Sequence, residues 1–135
     1  MSNKKAEINC RHCNSTLILG SNWSTVHKNN WSYICNECCN RLERERRKYL
    51  KDRAFSILGN RCNNPFNHDH PEWCNDIRIL QIDHIVPCGK LGRTYNNISL
   101  YKMVIENPKD YQLLCPNCNW LKRIINGEDN RLKVK

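Results

Sequence analysis

Three side chains in the second half of the chain are of the types that metal-assisted hydrolysis requires: the adjacent Asp83 and His84, and the later Asn119. A phosphodiester resists attack because its charge repels a nucleophile. An ion held by Asp83 and Asn119 would neutralise charge on a non-bridging oxygen and on the leaving 3′ oxygen. A neutral imidazole at His84 can take a proton from an in-line water. Lys122 or Arg123 could clamp a neighbouring phosphate. An Asp-His pair at a strand end is, by itself, more often an ordinary hydrogen-bonded pair. The Cys115-Pro116-Asn117-Cys118-Asn119-Trp120-Leu121-Lys122 run downstream gives the catalytic reading its weight.

The elements around these residues follow from local pattern. Residues 77–87, Ile-Arg-Ile-Leu-Gln-Ile-Asp-His-Ile-Val-Pro, are β-branched and apolar and predict a strand stopping at a turn. On a regular strand Asp83 and His84 face opposite ways, so both serve one site only if the strand ends there. Tyr111-Gln112-Leu113-Leu114 predicts the returning strand. Residues 119–125 predict a short helix, closed by Asn126-Gly127, on which Asn119, Lys122 and Arg123 share a face. The connection from Ile85 to Tyr111 is long and contains a possible helix over 98–106, with Lys90 and Arg93 as candidate contacts to the scissile strand.

A small core needs a staple. Only 39% of the 135 residues are hydrophobic, with two Phe and two Met, and ten cysteines are the obvious reinforcement. Met1-Ser2-Asn3-Lys4-Lys5 leads into no apolar run of signal-peptide length, and no stretch approaches a membrane span. The expectation is an intracellular, cytoplasmic chain with reduced thiols, in which Cys-x-x-Cys pairs hold zinc. Cys10, Cys13, Cys35 and Cys38 form one four-cysteine site, with Cys39 as a substitute for Cys38, around a polar stretch that carries Trp23 and Trp31. Cys62, Cys74, Cys115 and Cys118 form the second, with His68 and His70 as rivals to Cys74. Cys88, between Pro87 and Gly89, reads as a spare thiol.

Residues 41–59 lack Pro and internal Gly and predict one helix ended by Gly59, with Leu42, Tyr49, Phe55 and Leu58 on its apolar side. Its basic residues include Arg44, Arg46, Arg47, Lys48, Lys51 and Arg53. Arg47 and Lys48 are candidate phosphate contacts, and a merely solvated connector explains the charge equally well. The net charge of +9 suits a polyanion, because each cation set against a phosphate releases a counterion.

Leu80-Gln81-Ile82-Asp83-His84, followed by Tyr111-Gln112-Leu113-Leu114-Cys115-Pro116-Asn117-Cys118-Asn119-Trp120-Leu121-Lys122, resembles the HNH endonuclease family. The likeness covers residues 62–123 and is strongest to phage and mobile-element members whose motif ends in Cys-Asn. It implies a ββα-metal, treble-clef-like fold, a catalytic divalent ion and cleavage of DNA. It makes His84 the base, Asp83 and Asn119 ion ligands, and the ion a hard one such as Mg2+ or Mn2+. The middle motif position falls to Asn107 or Asp110, with Asn107 slightly preferred, and fastens the loop carrying His84.

The expected organisation is thus a small α+β, zinc-stabilised protein: a zinc module over 1–40, a basic helix over 41–59, the nuclease-like domain over 60–127 and a polar tail over 128–135. Two structural zinc ions and one catalytic ion are expected, with DNA, double-stranded or branched, as partner. Monomer and homodimer stay open. A non-catalytic zinc-dependent nucleic-acid-binding module and a zinc-held protein-interaction module are the competing functions.

Overall fold

The computed structural model describes residues 7–67, 69–88 and 96–128. The chain forms two compact units, Met1–Lys48 and Tyr49–Lys135. In the first, the segment after Cys10 folds back on itself. Asn14 takes a left-handed φ of 59°, which its short polar side chain tolerates, and its N–H bonds Cys10 O at 2.9 Å. A five-residue helix, α1 (Thr25–Asn29), starts at Ser24, whose hydroxyl accepts the His27 N–H. The core of this unit is Cys10, Leu17, Trp23, Cys35 and Cys38. Three of these five are cysteines, so the sulfurs rather than apolar side chains must organise it.

The basic helix α2 (Asn36–Ile57) begins five residues before its expected start and takes Cys38 and Cys39 into its first turn. Its C-terminal end is a Schellman motif: Gly59 N–H bonds Ser56 O, Asn60 N–H bonds Phe55 O, and Gly59 supplies φ +90°. Ala54 and Phe55 are buried, whereas Leu42 and Tyr49, expected on the apolar side, are exposed. Its middle turns, carrying Arg44, Arg46, Arg47 and Lys48, are exposed.

The second unit is built on a two-stranded antiparallel sheet, β1 (Gln81–His84) and β2 (Tyr111–Leu114), pairing Gln81 with Leu114 and His84 with Tyr111. The first strand is shorter than its sequence predicts. Asp76 accepts from the Arg78 N–H and guanidinium, and Ile79 N–H bonds Asp76 O, so side-chain capping of a turn overrides the β preference of Ile77 and Ile79. Between the strands lies α3 (Asn97–Glu106), capped by Asn96. After β2 comes α4 (Pro116–Ile125), with Pro116 in its first turn and Gly127 at φ 64° just past its end. Phe55, Leu80, Leu113 and Leu114 pack with Cys62, Cys74, Cys115 and Cys118 in the core. Val104 of α3 packs with Ala54 and Tyr111. Among the described residues no helix is long and apolar enough to cross a membrane. Lys90, Arg93, His68 and most of the polar tail lie outside the described residues.

Candidate metal centres and active site

Cys10, Cys13, Cys35 and Cys38 bring their four sulfurs within 4.8 Å of one another, enough for each to donate to one ion. Local structure delivers them in pairs. The turn after Cys10 presents the first pair, and the first turn of α2 presents the second. The Cys35 N–H points at Cys10 Sγ (3.3 Å) and the Cys38 N–H at Cys35 Sγ (3.4 Å). Cys39 is outside this group and lies 3.6 Å from His27 Nε2.

The second group is Cys62, His70, Cys115 and Cys118, with the same 4.8 Å limit. Its wiring repeats the first: the Cys115 N–H points at Cys62 Sγ (3.1 Å) and the Cys118 N–H at Cys115 Sγ (3.5 Å). In both units the second pair of donors straddles a helix N-terminus, where backbone N–H groups stabilise thiolate charge. The fourth donor differs from the expected Cys74. His70, just ahead of Pro71, reaches its Nε2 to 3.3 Å from Cys115 Sγ and 3.7 Å from Cys118 Sγ. Cys74 sits inside the 3-10 turn Glu72–Asn75, fully buried and beside Cys115 but outside the convergent four.

The protonation pattern at each group is one that a bound cation would relieve. Burial raises the Cys10 thiol, but backbone N–H groups of Cys35, His12 and Cys13 outweigh it and hold it at about 6. Burial, then the neighbouring Cys35, Cys13 and Cys10 sulfurs, push Cys38 up to about 12. In the second unit, burial of Cys115 is outweighed by the Cys118 N–H and His70, leaving it at about 6. Cys118 is pushed far up by burial and by Cys62 and Cys115. One thiolate forms easily and then opposes the next, a conflict that a divalent ion removes. Each group could hold a metal ion, and thiolate-imidazole donor sets are consistent with structural zinc.

Helix α4 lies against β1. Asn119 Nδ2 donates to Gln81 Oε1, and the Lys122 ammonium donates to Asp83 Oδ2 and the His84 carbonyl. Three residues of helix advance about 4.5 Å and two of strand about 6.6 Å, close enough for one helix face to meet one strand face. Gln112, opposite Asp83, adds a 3.1 Å bond to the same carboxylate oxygen. Lys122 is only 6% exposed, so it is tied to Asp83 rather than extended toward solvent as a phosphate clamp. His84 stands on the other sheet face. Its ring centroid is 4.6 Å from that of Tyr111, and its Nδ1 is 3.4 Å from Cys88 Sγ. Asp83, His84 and Asn119 therefore have separate partners. The strand does end at His84, the condition that lets both faces border one site.

The segment after His84 is fastened through the backbone: Ile85 N–H bonds Asp110 O at 3.0 Å. Asn107 caps the C-terminus of α3 and leads into the 3-10 turn Pro108–Asp110. Arg123 lies over the Trp120 ring, 5.6 Å from its centroid. Gln81, Gln112 and Tyr111 are neighbours of the site that sequence reading did not single out. Alternation along β1 puts Gln81 on the face of Asp83 and was the available signal. Oxygen donors at Asp83 and Asn119 fit a hard divalent ion in type. Comparison with family models, curated proteins and solved structures returns no match to this chain.

Proposed function

We propose that the chain is a metal-dependent endonuclease of the HNH type that hydrolyses DNA, with two zinc ions holding its two units. The observation that carries the reading is the packing of α4 on β1, which sets Asn119 and Lys122 along the strand bearing Asp83 and ending in His84. In the tautomer that carries its proton on Nδ1, beside the Cys88 sulfur, His84 Nε2 is the acceptor for a proton from attacking water. Tyr111 supports that ring from the paired strand. Asp83 and Asn119 would hold a Mg2+ or Mn2+ ion, which when bound would offset charge on the phosphate and the leaving oxygen. Lys122 and Gln112 orient the Asp83 carboxylate. Arg47 and Lys48, with Arg123, attract the nucleic-acid backbone.

A second reading, a non-catalytic zinc-dependent nucleic-acid-binding protein, is favoured by one contact: Lys122 already neutralises Asp83. Plasmid nicking in Mg2+ or Mn2+ decides between them. The His84→Ala variant should lose activity by about 100-fold or more while keeping its zinc content. Absence of nicking by the native chain across both ions, with DNA binding intact, establishes the second reading instead.

A further inference from the structure

Among the described residues three helices end in the same hydrogen-bond pattern, and one of them breaks its usual residue rule. After α2, Gly59 occupies the left-handed position, and after α4, Gly127 does. After α1 the equivalent pair of bonds runs from Trp31 N–H to Lys28 O (3.1 Å) and from Ser32 N–H to His27 O (2.8 Å), and the left-handed residue is Trp31, at φ 54°. This conformation is unfavourable for a bulky L-residue, where glycine would be unstrained. Packing does not offset the strain, because Trp31 is 76% exposed. A large aromatic held in strain and presented to solvent points to a partner outside the chain.

The surroundings state what that partner is. Trp31 borders a concavity shared with Ile8, Trp23, Lys28, Asn29 and Tyr33. The Tyr33 ring is stacked near Trp23, with centroids 6.0 Å apart, and carries the Arg11 guanidinium 5.1 Å from its own centroid. The Trp23 indole N–H is already bonded to Ser32 O, so that ring is a fixed wall. Among the described residues the lining holds a cation and an amide but no carboxylate. The exposed Trp31 face beside Lys28, with Arg11 lying over the half-buried Tyr33 ring next to the lining, is a combination that suits unpaired bases: a base stacks on the exposed ring and the cations take adjacent phosphates.

We infer that the Trp31 concavity of the N-terminal unit is a binding site for single-stranded nucleic acid, with Trp31 as the stacking platform and Lys28 and Arg11 as phosphate contacts. The inference rests on the nucleic-acid half of the function proposed above and not on cleavage. The test uses the full zinc-loaded chain, a fluorescein-labelled oligothymidylate and a matched duplex, without added Mg2+ or Mn2+ so that nothing is cut. Trp31→Gly should weaken oligothymidylate binding by about fivefold to a hundredfold, as loss of one stacked base does. It should affect the duplex less and leave the melting temperature equal or higher, because glycine relieves the left-handed strain. Trp31→Tyr should recover part of the affinity. Unchanged oligothymidylate affinity in Trp31→Gly overturns the inference and leaves a protein partner as the occupant. So does a native chain that does not bind the oligonucleotide, or a Trp31→Gly variant with a clearly lower melting temperature. If the native chain binds and Trp31→Gly does not, yet neither nicks plasmid in Mg2+ or Mn2+, the inference stands and the nuclease reading falls.

Discussion

Lys122 lies between the Asp83 carboxylate and the His84 carbonyl, and its side chain is 8% exposed against 22% for Asp83. Burial makes such a pair sensitive to losing one member, because the remaining charge keeps its desolvation cost without its partner. Lys122→Met and Asp83→Asn should each lower stability by about 1–3 kcal/mol in denaturant unfolding, the range for leaving a part-buried polar group unsatisfied. The double variant should cost less than the sum of the two. Strict additivity would show that the two side chains do not interact in solution. The same pairing bears on the proposed catalysis, since a divalent ion at Asp83 would have to share the carboxylate with the ammonium or displace it.

The two helices that begin at cysteine pairs use one device twice. A first donor from an upstream segment meets a Cys-x-x-Cys at the helix start, and two backbone N–H groups point at sulfur in each case. The upstream segment of the second unit is the irregular one. Its run through Asn64, Pro65 and Asn67 to the 3-10 turn decides between His70 and Cys74 as the fourth donor. His70→Ala should reduce bound zinc from two ions to one per chain under chelator competition. Cys74→Ala should retain both ions and lose stability through a small cavity, by roughly 1 kcal/mol. The opposite ranking, measured by metal analysis of the purified variants, would make Cys74 the ligand.

In the first unit, a zinc ion held by the four-cysteine group would outweigh apolar burial. Leu17 and Trp23 are the principal apolar members of the first core, and full burial of such side chains contributes about 1.5–3 kcal/mol each. A structural zinc contributes about 10–16 kcal/mol at neutral pH. Chelation should therefore abolish the cooperative thermal transition, and added zinc should restore it, as followed by circular dichroism. Cys10 and Cys115 are held near 6, below the ordinary thiol value of 9.0. Their depressed values favour the fold above the ordinary value, and the contribution fades as pH falls from 9 toward 6. Protons then also compete with the metal, so zinc should stay bound at pH 7 and be shed below about pH 6. A chromophoric chelator reads the release directly. Retention of both ions well below that range would contradict thiolate ligation by these residues.

Residue spacing was sufficient for whatever is local. Cys-x-x-Cys pairs, the helix-forming composition of α2 and the stop at Gly59 each depend on neighbours within a turn or two, and all could be read without coordinates. The paired strand over residues 111–114 and the final helix were legible in the same way. Distant partners were not. Asp83 and Lys122 are 39 positions apart, and only the packing of α4 on β1 makes them a pair and takes Lys122 away from solvent. The sequence favoured Cys74 over its rivals His68 and His70 as the fourth donor, and the path of the loop brings His70 to the group instead. Trp31 looked like one aromatic in a polar stretch until the end of α1 placed it, strained and exposed, where glycine serves the other two helices. The sequence determined the chemical types available. The tertiary structure decided which of them meet, because a contact between remote segments depends on how the intervening chain is packed.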